Sequence, residues 1–286
     1  MDSDTGSPVP RWRLGRELAK LREQSGLQFD AITKQSGCSR SKIHRVETGK
    51  SPVRGVDVEK LCKIYKAPPK LARALVALAQ ETTKNGWWHA YGDVIPEWFD
   101  VYLGLEAFAT GLDVYEPELV HGLLQTREYA YAVLATADPA GDEEEVERRV
   151  DLRLQRQKLL SGPDAPQLNV IINEAVLRRP VGGREVMAAQ LRHLAAMGKR
   201  RNITLRVLPF SVGEHAAMFG GFIYMRFPDR AITDLVYLET RTGAAYLDKP
   251  AQRKPYRQMW RDIDAQALDP DASRDMIIAA VKEYEA

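Results

Sequence analysis

A short stretch between residues 28 and 49 concentrates side chains that carry positive charge or donate hydrogen bonds. Its polar members lie around the apolar pair Ile43 and Val46, and they are Arg40, Ser41, Lys42, His44 and Arg45. Arginine can donate two parallel hydrogen bonds to O6 and N7 of guanine, and the other side chains can bond to bases or phosphates. These residue types at this spacing therefore fit contact with the major groove of duplex DNA.

Two short helices around a tight turn would place these side chains on one surface. Ile32 in the first helix can pack against Ile43 and Val46 in the second, which fixes the angle between them. Gly37 allows the left-handed backbone that such a turn favours, and Ser39 can cap the second helix. The pattern predicts a helix-turn-helix unit, with Ile32, Gly37, Ser39, Ile43 and Val46 as its scaffold.

The same stretch resembles the helix-turn-helix domains of the phage-repressor and Cro type, also called the XRE group. Residues of the pattern G-x-S-x-x-x-I-x-x-x-E-x-G stand at Gly37, Ser39, Ile43, Glu47 and Gly49. The resemblance covers Arg11 to about Thr82 and implies that Arg40, Ser41 and Arg45 face base edges.

Other polar residues of this region are predicted to contact the DNA backbone: Gln28, Lys42, His44, Lys50 and Arg54. Glu47 is expected to be structural, pairing near the end of its helix. Phe29 and Thr33 depart from the family pattern, which often has Gln and Ala there, and the Gln contacts the DNA backbone. Gln28 can substitute for that contact.

Charge is divided unevenly along the chain. From Arg11 to Lys66 there are 14 Lys and Arg against 6 Asp and Glu, whereas from Ala67 to Ala286 there are 27 against 31. A basic segment on an acidic remainder is typical of a module that binds a polyanion, although a solvated charged face is equally compatible with the charge alone.

Helical and strand patterns divide the chain into an all-α N-terminal helix-turn-helix domain with five helices and an α+β C-terminal domain. We expect a disordered tail over residues 1–10, the first domain over 11–82, a linker or hinge over 83–92, which includes Asn85-Gly86-Trp87-Trp88, and the second domain over 93–286. Strands are predicted at 111–115, 168–172, 203–208, 222–227 and 235–238, and helices at 98–108, 126–134, 142–160, 184–197, 250–266 and 271–284.

From Gly86 onward the chain resembles the C-terminal domain of unknown function in a group of actinobacterial, WhiJ-like regulators. The resemblance rests on Trp88-x-x-Tyr91, Trp98-Phe99, Gly122-Leu-Leu-Gln-Thr126 and Val236-Tyr-Leu-Glu239. It implies that this domain binds a small partner protein. From the residues alone, Thr126 more often caps a helix than belongs to a ligand clamp. The aromatic residues between Trp87 and Tyr102 can form core or line a groove.

Catalytic and metal-binding patterns are missing from the sequence. The five histidines form no H-E-x-x-H pair, and there is no G-x-S-x-G motif and no P-loop. With only Cys38 and Cys62, and no apolar run near the roughly 20 residues of a membrane span, we expect a reduced, cytoplasmic protein. We predict no enzyme, cofactor or metal.

The predicted function is a homodimeric regulator that binds double-stranded DNA and, through its C-terminal domain, a small partner protein or effector. The alternative is an antitoxin-like protein that sequesters its partner and binds DNA for autoregulation.

Overall fold

The computed structural model describes residues 8–81, 87–137, 141–227 and 233–286. The chain divides into two compact units, with the boundary between Phe108 and Ala109. Each unit is described by itself. The sequence places the start of the second domain at residue 93, whereas the structure groups residues 93–108 with the N-terminal unit.

The N-terminal unit is entirely helical. Its helices are α1 (Pro8–Ser25), α2 (Phe29–Ser36), α3 (Arg40–Glu47), α4 (Gly55–Ile64), α5 (Pro69–Glu81) and α6 (Glu97–Phe108), and a 3-10 turn at Trp87–Tyr91 precedes α6. The five helices predicted over residues 11–82 are confirmed. Helix α1 begins at Pro8, so residues 8–10 of the predicted disordered tail are helical. Residues 1–7 and the Asn85-Gly86 turn signal lie outside the described residues.

One apolar core holds the first five helices together. It includes Leu18 of α1, Ile32 of α2, Ile43 of α3, Val58 of α4 and Leu75 of α5, all of them buried. In α1, for example, the buried Leu14, Leu18 and Leu21 recur at helical spacing, and such spacing is why the sequence pattern predicted the helices. Because Ile43 and Val46 bury one side of α3, the opposite side of that helix faces outward.

The aromatic residues around α6 mostly pack into the N-terminal unit. Trp88 and Tyr102 are buried. Asp100 accepts hydrogen bonds from Nε1 of Trp88 at 2.7 Å and from Nη2 of Arg11 at 3.0 Å, and the second bond ties α6 to α1. Trp87 remains 41% exposed. Of the two interpretations that the sequence left open, core packing applies to Trp88 and Tyr102.

The C-terminal unit is built on a six-stranded mixed sheet. Its strands are β1 (Gly111–Glu116), β2 (Gln167–Asn173), β3 (Ile203–Leu208), β4 (Phe222–Arg226), β5 (Leu235–Thr240) and β6 (Gly243–Leu247). They lie in the order β3-β2-β1-β4-β5-β6. Strands β1, β2 and β3 are parallel, and β4, β5 and β6 continue the sheet antiparallel. The predicted α+β fold is confirmed, and β6 was not predicted.

Helices and short turns connect the strands. The helices are α7 (Arg127–Ala137), α8 (Glu143–Arg156), α9 (Ala175–Arg178), α10 (Arg184–Met197), α11 (Pro250–Gln266) and α12 (Pro270–Glu285). The helix predicted over 142–160 ends at Arg156 and continues as a 3-10 turn over Gln157–Leu160. One apolar cluster joins the sheet to α11 and includes Tyr115, Ile171, Phe222 and Ile263.

The segment Gly122–Thr126 is a structural start of α7. Gln157 donates to two of its carbonyl groups and Gln190 donates to a third. The Thr126 hydroxyl accepts from the N–H of Tyr129 at 3.4 Å, as an N-cap does. Because the backbone groups of the segment are bonded within the unit, the structural interpretation of this motif is the one that the contacts support.

Candidate nucleic-acid interface

The turn between α2 and α3 has the geometry expected from the sequence. Gly37 has φ 71°, and its N–H donates to the carbonyl of Thr33 at 3.0 Å. A left-handed backbone of this kind is costly for a residue with a Cβ, so glycine suits the position. The Ser39 hydroxyl accepts from the N–H of Lys42 at 3.1 Å. The predicted cap is therefore present, and α3 begins at Arg40.

Helix α3 has one buried side and one exposed side. Ile43 and Val46 are 1% and 3% exposed and belong to the core of the unit. The side chains between and before them are exposed: Arg40, Ser41, His44 and Arg45. The structure thus brings together all three residues predicted to contact bases, on one face of a helix whose other face is anchored. Lys50 and Gln28 are exposed at the ends of the same two-helix unit.

The end of α3 and the residues that follow it lie in close contact with α1. A Cβ on Gly15 would collide with the carbonyl oxygen of Val46, and a Cβ on Gly49 would lie 2.9 Å from the Cα of Trp12. Gly49 also has φ 72°. Gly49 was named from the family pattern, but Gly15 was missed, because a glycine inside a helix carries no signal for which helix passes over it.

Glu47 is structural, as expected. Its side chain is 6% exposed, and Nε of Arg22 donates to its two carboxylate oxygens at 2.8 and 3.1 Å. An ionised carboxylate that is taken out of water needs such a partner. The pair joins α1 to the C-terminal end of α3. Arg22 was not singled out from the sequence.

Two of the predicted phosphate ligands share a carboxylate inside the unit. Nζ of Lys42 lies 2.9 Å from Oδ2 of Asp57, and Nε of Arg54 lies 3.2 Å from the same oxygen. The Lys42 side chain is 37% exposed and that of Arg54 is 77% exposed. Burial alone would raise the pKa of Asp57, but the hydrogen bonds from both cations outweigh it and hold the pKa below its ordinary value of 3.8.

Phe29, the departure from the family pattern, lies between two arginines. Its ring centroid is 4.6 Å from Cζ of Arg22 and 4.9 Å from Cζ of Arg40. A guanidinium at this distance is attracted to the negative face of the ring. Since Arg22 also holds Glu47, a continuous set of contacts runs from the scaffold to the first residue of α3.

The described residues contain no group of three or more His, Cys, Asp or Glu side chains that could hold a metal ion. Within the same residues, no helix is long and apolar enough to cross a bilayer. Cys38 and Cys62 are buried thiols, and burial raises the pKa of Cys62 to about 11, which disfavours its thiolate.

Comparison with known proteins yields two matches. Residues 13–75 match a helix-turn-helix domain family, and these residues include all of α2 and α3. Residues 99–279 match the family described as a domain of unknown function, DUF5753. No curated protein and no solved structure matches the chain.

Proposed function

Because the chain belongs to the DUF5753 family and carries a helix-turn-helix domain, we propose that it is a sequence-specific transcriptional regulator and not an enzyme. The observation that carries the proposal is the asymmetry of α3. Its apolar residues are locked into the core, while Arg40, Ser41, His44 and Arg45 face outward. A helix presented in this way can enter the major groove with its donors directed at base edges.

The exposed residues divide into two roles. Arg40, Ser41 and Arg45 contact base edges and set sequence preference. The residues around them contact the sugar-phosphate backbone and are Gln28, Lys42, His44, Lys50 and Arg54. Arg54 and Lys42 retain Asp57 as a partner while they do so. Asp57 therefore holds these two cations close to each other beside α3.

One such unit covers only a half-site, so we propose a homodimer on an inverted repeat. Its half-site centres would be spaced by about 34–36 Å, or by a multiple of this distance. Counterions released from the phosphates would make its affinity fall steeply with salt.

Selection of bound fragments from random duplexes with the full chain supplies the test. On the selected sequence we expect Arg40→Ala and Arg45→Ala each to cost about 1–3 kcal/mol and to relax preference at one base pair. Lys50→Ala should weaken selected and random duplexes alike. Lys60→Ala removes an exposed cation from α4 and serves as the control for net charge.

Two results would contradict the proposal. The first is a chain that shows no preference among duplexes at low salt. The second is a set of equal losses on selected and random DNA from all four variants, which would reduce α3 to a general basic surface.

A second role, binding of a partner protein, is favoured by one feature of the C-terminal unit. Phe210, Met218 and Phe219, in the segment between β3 and β4, are 57%, 65% and 100% exposed. Met218 and Phe219 are neighbours in sequence, and a patch of large exposed apolar side chains marks an interaction surface. The resemblance to WhiJ-like regulators implies a small partner protein. In the antitoxin-like alternative, sequestering this partner is the main task.

The double variant Met218→Ser, Phe219→Ser tests this role in the full chain. It should fold normally because both side chains face solvent. In extracts of the source cells, a small protein recovered in equal molar amount with the wild-type chain should be lost with the variant. Recovery of the same protein with both chains, or of none with either, counts against a partner at this surface.

A further inference from the structure

A cleft opens on the sheet of the C-terminal unit, beyond the area that α11 covers. Its volume is about 480 Å³, which lies within the range of pockets that hold small molecules. The floor comes from β1, β2 and β3 and the walls from Arg226, Trp260 of α11 and the connection between α11 and α12. No pattern in the sequence indicated this site.

The floor is a row of polar side chains across three strands. Asp113 pairs with Asn169, and Asn169 pairs with Thr204, so all three side chains lie on the same face of the sheet. Two residues further along, the same face carries Tyr115 and Ile171, which pack against α11. The sheet therefore changes from apolar to polar where the helical cover ends.

Burial of the Asp113 carboxylate is energetically unfavourable. Asp113 lies in a central strand, is 6% exposed, and accepts hydrogen bonds from Nδ2 of Asn169 at 2.7 Å and Nη1 of Arg226 at 3.0 Å. Burial raises its pKa above the ordinary value, and the charges of Asp264 and Asp234 add to the increase. Shifted carboxyl groups that line a cleft are characteristic of functional sites.

Both arginines of the cleft donate hydrogen bonds to other groups of the protein. The guanidinium of Arg206 donates to Asp264 and to the carbonyl groups of Ala267 and Leu268. Arg226 lies over Gly111, where any Cβ would collide with its guanidinium.

Asp113 and Asn169 line the cleft and have unused capacity to accept hydrogen bonds. Each carboxylate oxygen of Asp113 has a further lone pair, and Asn169, which donates through its nitrogen, retains its carbonyl oxygen.

We propose that this cleft binds a small organic molecule with an amidino or guanidino group, which donates hydrogen bonds to Asp113 and Asn169 and packs against the ring of Trp260. A planar N–C–N group carries several N–H donors in one plane, which suits the neighbouring acceptor oxygens of Asp113 and Asn169, and an aromatic wall favours a planar or cationic group. An aliphatic guanidine and the guanine base share this chemistry. The inference does not rest on DNA binding, since its site lies entirely in the C-terminal unit.

Calorimetric titration of the full chain with agmatine, guanosine and inorganic phosphate tests the proposal. We expect saturable binding of agmatine or guanosine, and which of the two binds identifies the source of the group. Asp113→Asn should weaken binding by about tenfold or more. Thr204→Val, which keeps the shape of an exposed strand residue, should weaken it by a smaller factor. Asp275→Asn removes an exposed acid from α12, outside the cleft, and should bind as the wild type does.

Phosphate should not bind at this cleft. The proposal is overturned by saturable phosphate binding that is lost in Arg226→Gln, since the cleft would then select anions. It is also overturned if neither agmatine nor guanosine binds, or if binding is equal in wild type, Asp113→Asn and Thr204→Val chains whose thermal unfolding shows that they are folded.

Discussion

Each unit of the molecule buries an aspartate beside an arginine, and the two carboxylates differ in their surroundings. Asp57 lies in the first turn of α4, where the helix dipole favours negative charge, and it accepts from two cations, Lys42 and Arg54. Asp113 lies in a central strand and accepts from one cation, Arg226, and from a neutral amide.

The pKa values of the two carboxyl groups move in opposite directions. Burial acts to raise both, but the cations outweigh burial at Asp57, whereas burial dominates at Asp113. The Asp57 carboxylate therefore holds the cations Lys42 and Arg54 beside α3. At Asp113, burial makes the charged form less favourable, which is compatible with the binding role proposed for the cleft.

The largest effect should come from Asp57→Asn. The substitution leaves Lys42 and Arg54 without their carboxylate, and we expect a loss of about 1–2 kcal/mol in the free energy of unfolding near neutral pH. Because the folded pKa is lowered, the stabilisation is present above the ordinary value of 3.8 and is lost as the pH falls through the folded pKa. Urea unfolding of both chains at several pH values measures it. A loss that does not fade in acid would contradict an electrostatic role.

Asp113→Asn should have a smaller effect near neutral pH, below about 1 kcal/mol, because burial already makes the charged form of the wild-type group unfavourable. Its pH dependence should have the opposite sign. With a raised folded pKa, the wild type gains stability over the variant as the pH falls through that pKa toward 3.8. The charged groups that act on the pKa of Asp113 are Arg226, which lowers it, and Asp264 and Asp234, which raise it. The same urea series decides the sign, and parallel pH profiles for the two variants would remove the distinction between the two sites.

The helix-turn-helix unit could be predicted from the sequence because its signals are local. Gly37, Ser39 and Ile43 lie within one turn and one helix, and each has a conformational preference that acts over a few residues. The contacts that support them were not predicted. Arg22 and Asp57 reach α3 from other helices, and side-chain partners distant in sequence leave no periodic pattern.

The cleft depends on sheet order and register, which the sequence does not encode locally. Asp113, Asn169 and Thr204 lie side by side only because β1 pairs with β2 and β2 pairs with β3. Arg226 reaches the cleft because β4 pairs with the other edge of β1. Strand β6 was missed for a different reason. Its sequence, Gly-Ala-Ala-Tyr-Leu, has no β-branched residue and no alternation, so pairing with β5 determines its conformation.

The smallest expected effect tests whether contacts inside the N-terminal unit also position Arg40, which is proposed to contact a base. Phe29→Leu keeps an apolar side chain against the core but removes the ring face beneath Arg40. A cation–π contact at a partly exposed site contributes about 0.5–1 kcal/mol. We therefore expect affinity for the selected duplex to fall by about two- to fivefold, while affinity for random DNA is unchanged because no phosphate ligand is lost.

Phe29→Tyr supplies the matched control, because it retains the aromatic face and should bind as the wild type does. In the Arg40→Ala background, Phe29→Leu should have no further effect on base preference, since the guanidinium that the ring positions is gone. Equal weakening on selected and random DNA, or an undiminished effect in the Arg40→Ala background, would show that Phe29 acts through the packing of α2 alone. The ring of Phe29 would then have no part in orienting Arg40.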